Sequence, residues 1–313
     1  MSPKDAAEAL IRLTPHACDQ INHFARETLT VRGGRIGSGM GTLLEALWGY
    51  YVNRQFDADK SGKWPYEIAW LADHEYNDFA VVQRDSEWDP ARRVGELLRV
   101  EAKSMNNQAD ESKGHFDELE QNLGQWDVLL VLVWRWEQLA KGRSSPQIVD
   151  HFVGSAIPLA RLRDALHEAR GGTFVDRNKC PDGCAPASCL HHGEPLNASG
   201  KRERLSGPES LRPSAKVSFA ANFGGMVRML KTNSPAARSA LRQFRRNDET
   251  AHRYVSFIHR NFPTEEQNQY LSSEWKAIAA AHKLNVAGKP SDDIVSAVRE
   301  GIPNYQDELR ALP

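Results

Sequence analysis

Two stretches of the chain decide its fold: Asp78-Phe79-Ala80-Val81-Val82-Gln83 and Glu96-Leu97-Leu98-Arg99-Val100-Glu101-Ala102-Lys103-Ser104-Met105. Both have the length and the aliphatic content of strands. The polar stretch between them, Arg84 to Gly95 with Pro90 inside it, predicts a hairpin connection. Upstream, helical spacing of Ala7, Leu10, Ile11, Leu13, Ile21 and Phe24 predicts a helix over Lys4 to Thr28. A second helix is expected from Thr42 to Phe56, with Leu44, Leu47, Trp48 and Tyr51 as its apolar face, and a further strand from Ile68 to Leu71. Downstream, Glu111 to Leu123 reads as a charged helix, and Asp127 to Trp136 as a buried strand rich in valine and leucine. Helix, strand, strand, helix, strand is the order of an α/β fold, with a central mixed β-sheet flanked by helices.

The glycines ahead of the second helix (Gly33, Gly34, Gly37, Gly39 and Gly41) resemble a phosphate loop only in composition. The lysine and hydroxyl residue that such a loop needs at fixed spacing are absent, and no strand precedes it.

Composition narrows the class. Of the 313 residues 40% are apolar, and 40 basic side chains nearly balance 41 acidic ones. These proportions exclude collagen-like, disordered and disulfide-scaffold chains. The longest apolar run, Val128 to Trp134, is too short to span a bilayer, and Met1 to Asp5 lacks the apolar stretch of a secretory signal. A cytoplasmic protein with no membrane partner is expected. The charge is unevenly placed: Lys201 to Pro263 carries thirteen Lys or Arg against four Asp or Glu, while the whole chain sums to −1. A basic segment in an otherwise acidic protein suits a polyanion, although pairing with the acidic remainder has the same charge signature.

Glu-x-Lys occurs at Glu101/Lys103, Glu111/Lys113 and Glu274/Lys276, and only the first of these ends an apolar strand. On a strand, residues i and i+2 share a face, so Glu101 and Lys103 project side by side while Ala102 turns away. Asp78 opens the strand expected to pair with this one. Two carboxylates at the ends of neighbouring strands can share a hard cation such as Mg²⁺ through oxygen ligands. A lysine beside them can orient water and offset charge on a reacting phosphate. A surface ion pair between Glu101 and Lys103, with Asp78 unrelated, is the simpler alternative.

The arrangement Asp78…Glu101-x-Lys103, in its strand-strand-helix-strand context, resembles the PD-(D/E)xK nuclease superfamily, which includes type II restriction endonucleases. The resemblance covers roughly Gly39 to Trp136. It departs from the family pattern at Asn77, where the name-giving proline would stand. It implies a restriction-endonuclease-like core, Mg²⁺-dependent hydrolysis of DNA, and Asp78, Glu101 and Lys103 as catalytic residues, with Asp78 and Glu101 as Mg²⁺ ligands. The acidic residue that this family sometimes carries on the preceding helix corresponds to Glu45, which helix composition alone would leave as a solvated glutamate.

Cys180, Cys184 and Cys189 are followed by His191 and His192. Three thiolates and one of the two imidazoles make up a tetrahedral structural Zn²⁺ set, and spacing does not choose between the histidines. The surrounding stretch, Gly171 to Pro213, has too few apolar residues to fold without such a staple. Beyond it, Ser234 to Phe262 and Ser291 to Leu312 read as helices. Lys201, Arg202 and Arg204, and the three-to-four spacing of Arg238, Arg242, Arg245 and Arg246, form the candidate DNA-binding surface.

The expected organisation is therefore a catalytic core with N-terminal helices over residues 1–170, then a zinc-stapled, mainly helical and basic part over 171–313. The expected function is that of a type II restriction endonuclease, acting on double-stranded DNA as a homodimer. A repair or phage-defence nuclease without a defined target, or a non-catalytic zinc-containing DNA-binding protein, would share much of this sequence pattern.

Overall fold

A computed structural model describes residues 2–32, 39–59, 61–62, 64–71, 77–109, 114–174, 193–194, 203–204, 217–218, 224–230, 234–262, 275–287, 289, 291–305 and 307–308. The chain is α/β. Helices α1 (Pro3–Thr28) and α2 (Gly39–Ala58) precede strands β1 (Tyr66–Trp70), β2 (Phe79–Gln83), β3 (Glu96–Asn106), β4 (Val128–Ala140) and β5 (Arg143–Ser155). Helix α3 (Ala156–Ala169) follows, then the two-residue strands β6 (Glu203–Arg204) and β7 (Val217–Ser218). Helices α4 (Pro235–Asn247), α5 (Glu249–Asn261), α6 (275–281) and α7 (Ser291–Gly301) complete the described elements.

The five-stranded sheet runs in the order β1-β2-β3-β4-β5, antiparallel throughout except for the parallel β3–β4 pair, so it is mixed. β4 is an inner strand, flanked by β3 and β5, and Val128 to Trp134 are buried. A strand covered on both faces reads as an unbroken apolar run. One face packs on α1 and α2 through Leu98, Val100 and Ala102 of β3, and the other packs on α3, α4 and α5 through Met105 of β3. The second cluster joins Leu129 and Val131 to Met226, Leu241 and Tyr254, so residues on both sides of position 170 share a core.

Each outer strand is covered by an asparagine. Asn22 of α1 donates to the Ile148 carbonyl (2.8 Å) and accepts from the Ile148 amide (2.7 Å) on β5. Asn53 of α2 makes the same pair of bonds with Ile68 of β1 (3.0 and 2.6 Å). A side-chain amide presents the same donor and acceptor as a neighbouring strand, and thus closes an edge that could otherwise pair with another chain.

Three expectations need correction. Residues 114–119 are extended rather than helical, because they bond across to a later segment: Phe116 N–H to the Gly224 carbonyl and Met226 N–H to the Gly114 carbonyl, both at 2.8 Å. A single turn of 3₁₀ helix at Glu120–Asn122 is all that forms between Gly114 and Leu123. The helix expected over Ser234 to Phe262 is two helices, because Asp248 leaves helical geometry (φ −135°) and caps α5 by accepting from the Ala251 amide at 2.8 Å. Finally, β5 and α3 arise where sequence reading had placed no element. Gly142, at φ +74°, makes the tight turn that returns the chain from β4 into β5. Among the described residues, no helix is long and apolar enough to cross a membrane.

Candidate active site

β3 is twice as long as β2 needs. Its pairing with β2 ends at Phe79↔Val100, whereas its pairing with β4 continues from Val100↔Val128 to Asn106↔Trp134. Beyond Val100, among the described residues, no strand pairs with the β2-side edge of β3. Asp78 stands at that divergence. Its amide donates to the Val100 carbonyl (3.1 Å) and its Oδ2 accepts from the Ala102 amide (2.8 Å), so its carboxylate continues the ladder by one rung.

Asn77 precedes it with φ +76°, in the left-handed region that asparagine tolerates. Proline is locked near −65°, so this backbone could not carry one.

Glu101 and Lys103 lie on the same face as Met105, as strand alternation requires. Lys103 Nζ is 2.5 Å from Glu101 Oε1 and 3.8 Å from Asp78 Oδ2, so the ammonium stands between the two carboxylates. Glu101 is 8% exposed. Burial raises its proton affinity, Lys103 opposes that, and Asp78 adds to it; the net shift is upward. For Lys103, burial works against the charged form, yet Glu101 and Asp78 outweigh it and hold the ammonium above its ordinary range.

Glu45 reaches the same place from α2. Gly41 is seated directly on Ser104 of β3, where a Cβ would collide with the Ser104 hydroxyl. That close approach brings Glu45, one turn later, into hydrogen-bonding contact with Ser104. Burial, then the charge of Asp78, push its carboxyl up to about 7. Gly41→Val should therefore overpack this contact and destabilise the protein by about 1–3 kcal/mol. Thermal melts would show the loss, and adding Ser104→Gly should recover part of it.

A fourth acid, Glu118, was not anticipated. It sits in the extended segment after β3, is 9% exposed, and its Oε2 has no hydrogen-bond partner. Burial, then the charge of Glu101, push its carboxyl up to about 8. The segment is held by Arg163 of α3, itself fully buried, whose Nη1 donates to the carbonyls of Phe116 and Glu118 at 2.8 Å each. On the other side, Gly224 lies against the carboxylate of the neighbouring Asp117, which would have to turn aside for a Cβ at that position. Local sequence holds little signal for this placement, because the residues that position Glu118 are distant in the chain.

The structure thus brings together Asp78, Glu101 and Lys103, with Glu45 near them on α2 and Glu118 buried in the segment that follows β3. The donors are hard carboxylate oxygens, the chemistry suited to Mg²⁺, and the Lys103 ammonium stands between two of them. The set is not a preformed cage: among the described residues, no three His, Cys, Asp or Glu side chains stand close enough to hold a metal ion.

The remaining expected site residues fall elsewhere. Cys180, Cys184, Cys189, His191, His192, Lys201 and Arg202 lie outside the described residues, and so do Glu111, Lys113 and Glu274. Arg204 is in β6, paired with Val217. On α4, Arg245 continues the buried line of Ala237 and Leu241 and is 6% exposed. Burial and this guanidinium push His259 of α5 down to about 3. Arg238 and Arg242 are half-buried and Arg246 is exposed. The four arginines therefore do not form one solvent-facing stripe, because helical spacing alone does not say which side of α4 meets the core. Comparison of the chain with protein-family models, with curated proteins and with solved structures returns no match.

Proposed function

We propose that this protein is a Mg²⁺-dependent DNA endonuclease of the type II restriction kind, with Asp78, Glu101 and Lys103 as its catalytic residues. One observation carries the reading: an aspartate at the start of β2, and a Glu-x-Lys on the part of β3 that runs on beyond its pairing with β2, meet where the two strands part. Two carboxylates and a lysine at the mouth of a sheet suit phosphodiester hydrolysis. The resemblance to the PD-(D/E)xK nucleases rests on these same residues.

Asp78 and Glu101 would hold Mg²⁺, which when bound polarises the scissile phosphate. For that, the Lys103 ammonium must leave the gap between them, and its flexible four-carbon stem allows it. Lys103 then orients the attacking water and offsets charge developing on the phosphate oxygens. Glu45 supports the cation side from α2. Arg246, together with Lys201, Arg202 and Arg204, would contact the DNA backbone, and a homodimer would set one site against each strand.

Incubation of plasmid DNA with the purified chain in Mg²⁺ or in EDTA tests this. Discrete fragments only with Mg²⁺ support a restriction activity. A smear points to a nuclease without a defined target, and a mobility shift without cutting leaves a DNA-binding protein alone. The Cys180/Cys184/Cys189 cluster with His191 or His192 is proposed as a structural Zn²⁺ site. Elemental analysis should find about one zinc per chain, lowered by Cys184→Ser, and metal-free protein would reduce the cluster to free thiols.

A further inference from the structure

We propose that the cleft between β5 and α5 is a phosphate-binding site, in which Arg253 and Arg260 hold the phosphate oxygens of a nucleic-acid backbone or of a free phosphate. Phe152, at the cleft, is separated from Lys103 by Val131 of β4, so the proposal does not depend on the reading of Asp78, Glu101 and Lys103.

Three observations carry it. First, the cleft has the size for such a ligand. It has a volume of about 160 Å³, with His151 and Phe152 of β5 on one side and α5 on the other, where Arg253, Ser256 and Arg260 follow at helical spacing. A water molecule needs only about 10–15 Å³, so a tetrahedral oxyanion fits with some of its hydration.

Second, both guanidiniums are held on one aromatic floor. Phe152 and Phe257 pack with ring centroids 5.7 Å apart, and Arg253 lies over the first ring (5.6 Å) while Arg260 lies over the second (5.4 Å). Arg253 Nη2 also donates to the Val153 carbonyl at 3.1 Å, and Arg260 forks onto Asp150 through Nε (2.6 Å) and Nη2 (3.0 Å). A guanidinium fixed by its flat face and one edge keeps its other N–H groups pre-organised for an oxyanion.

Third, the charges do not balance within the pair. Asp150 is taken up by Arg260 and by Asn261, whose Nδ2 donates to it at 2.6 Å. Arg253 makes no ion pair with a carboxylate of the described residues. A phosphate has enough oxygens to meet both guanidiniums at once, whereas a carboxylate's two are filled by one fork. Glu249, one turn before Arg253 on α5, also lines the cleft and opposes an anion there, which gives the proposal a test of sign.

The full-length chain is titrated with inorganic phosphate by calorimetry, and with a fluorescent duplex oligonucleotide in EDTA at several salt concentrations. Arg253→Gln should weaken phosphate binding at least about ten-fold, and Glu249→Gln should strengthen it. Arg135→Gln, altering an exposed arginine of β4 paired with Glu137, should leave it unchanged. For a nucleic-acid backbone, Arg253→Gln should also lower the log-log salt slope of oligonucleotide binding by about one. For a free phosphate, that slope should stay and only the phosphate titration should respond. If Arg253→Gln alters neither arm, the proposal is overturned and the reading of Asp78 and Glu101 is untouched. Should Arg253→Gln fail to fold, Ser256→Asp decides: a carboxylate set into the cleft should weaken phosphate and oligonucleotide binding, and wild-type strength in both overturns the site.

Discussion

Replacing Lys103 by methionine, or Glu101 by glutamine, should lower Mg²⁺-dependent cleavage of plasmid DNA by roughly 10³-fold, the usual loss when one charged group stabilising a transition state is removed. DNA affinity measured in Ca²⁺ should change little, because neither residue belongs to the basic surface. The two variants differ in the apo protein. Lys103→Met takes the ammonium away from Glu101 and Asp78 and leaves two carboxylates facing each other with Glu45 close by. Glu101→Gln removes a buried charge but retains a hydrogen-bonding partner for Lys103. Lys103→Met should therefore be the less stable of the two. Glu96→Gln gives a control, since Glu96 pairs with Arg99 at the other end of β3 and should cut normally. If Glu101→Gln cleaves within a few-fold of wild type, the constellation at the β2–β3 divergence is an ion-pair cluster and the hydrolytic site lies elsewhere.

In chelator, the protein should lose stability as pH rises from 6.5 to 8. Glu45 and Glu118 both titrate at 4.5 when unperturbed, and in the folded chain at about 7 and about 8. The folded state thus holds their protons more tightly than the unfolded state does. The resulting stabilisation is complete below pH 4.5 and is lost as pH climbs through 7 and 8. His259, pushed down to about 3 by burial and Arg245, acts in the opposite sense between 3 and 6.5 and masks part of the trend there. Between pH 6.5 and 8 the carboxyls act without that opposition, and the loss should reach about 2 kcal/mol, or roughly 5 °C in Tm. Glu118→Gln should remove most of this slope and Glu45→Gln a smaller part, since Glu45 is already half titrated at pH 7 and Glu118 only at pH 8. Saturating Mg²⁺ should flatten it, because a cation replaces the protons. A Tm that is flat from pH 6.5 to 8 in EDTA would mean that neither carboxyl is held protonated by its surroundings.

The strands were legible because their patterning is local. Asp78 to Gln83, Glu96 to Met105 and Asp127 to Trp136 each match a strand within a few residues, and the apolar run of β4 announced its burial on both faces. The candidate trio was legible for the same reason: alternation places Glu101 and Lys103 together, and a hairpin connection brings Asp78 to the neighbouring strand. Helix α1 was readable over its full length from its apolar spacing.

What local pattern could not convey was pairing between distant segments. Residues 114–119 carry the charge and spacing of a helix, yet they are extended because Gly224 and Met226 offer backbone partners and Arg163 takes up two of their carbonyls. Arg245 has the spacing of a surface stripe and the burial of a core residue, because α4 meets α3 and α5 on that side. The sequence by itself determined the class of fold, the strand that carries Glu-x-Lys and the acid opposite it, since these depend on periodicities of two and of 3.6 residues. Only the tertiary structure decided that β3 outruns its pairing with β2, that Gly41 lets Glu45 approach Ser104, and that Glu118 is buried in a segment held by Arg163. Each of these depends on contacts between segments far apart in the chain, which no local periodicity encodes.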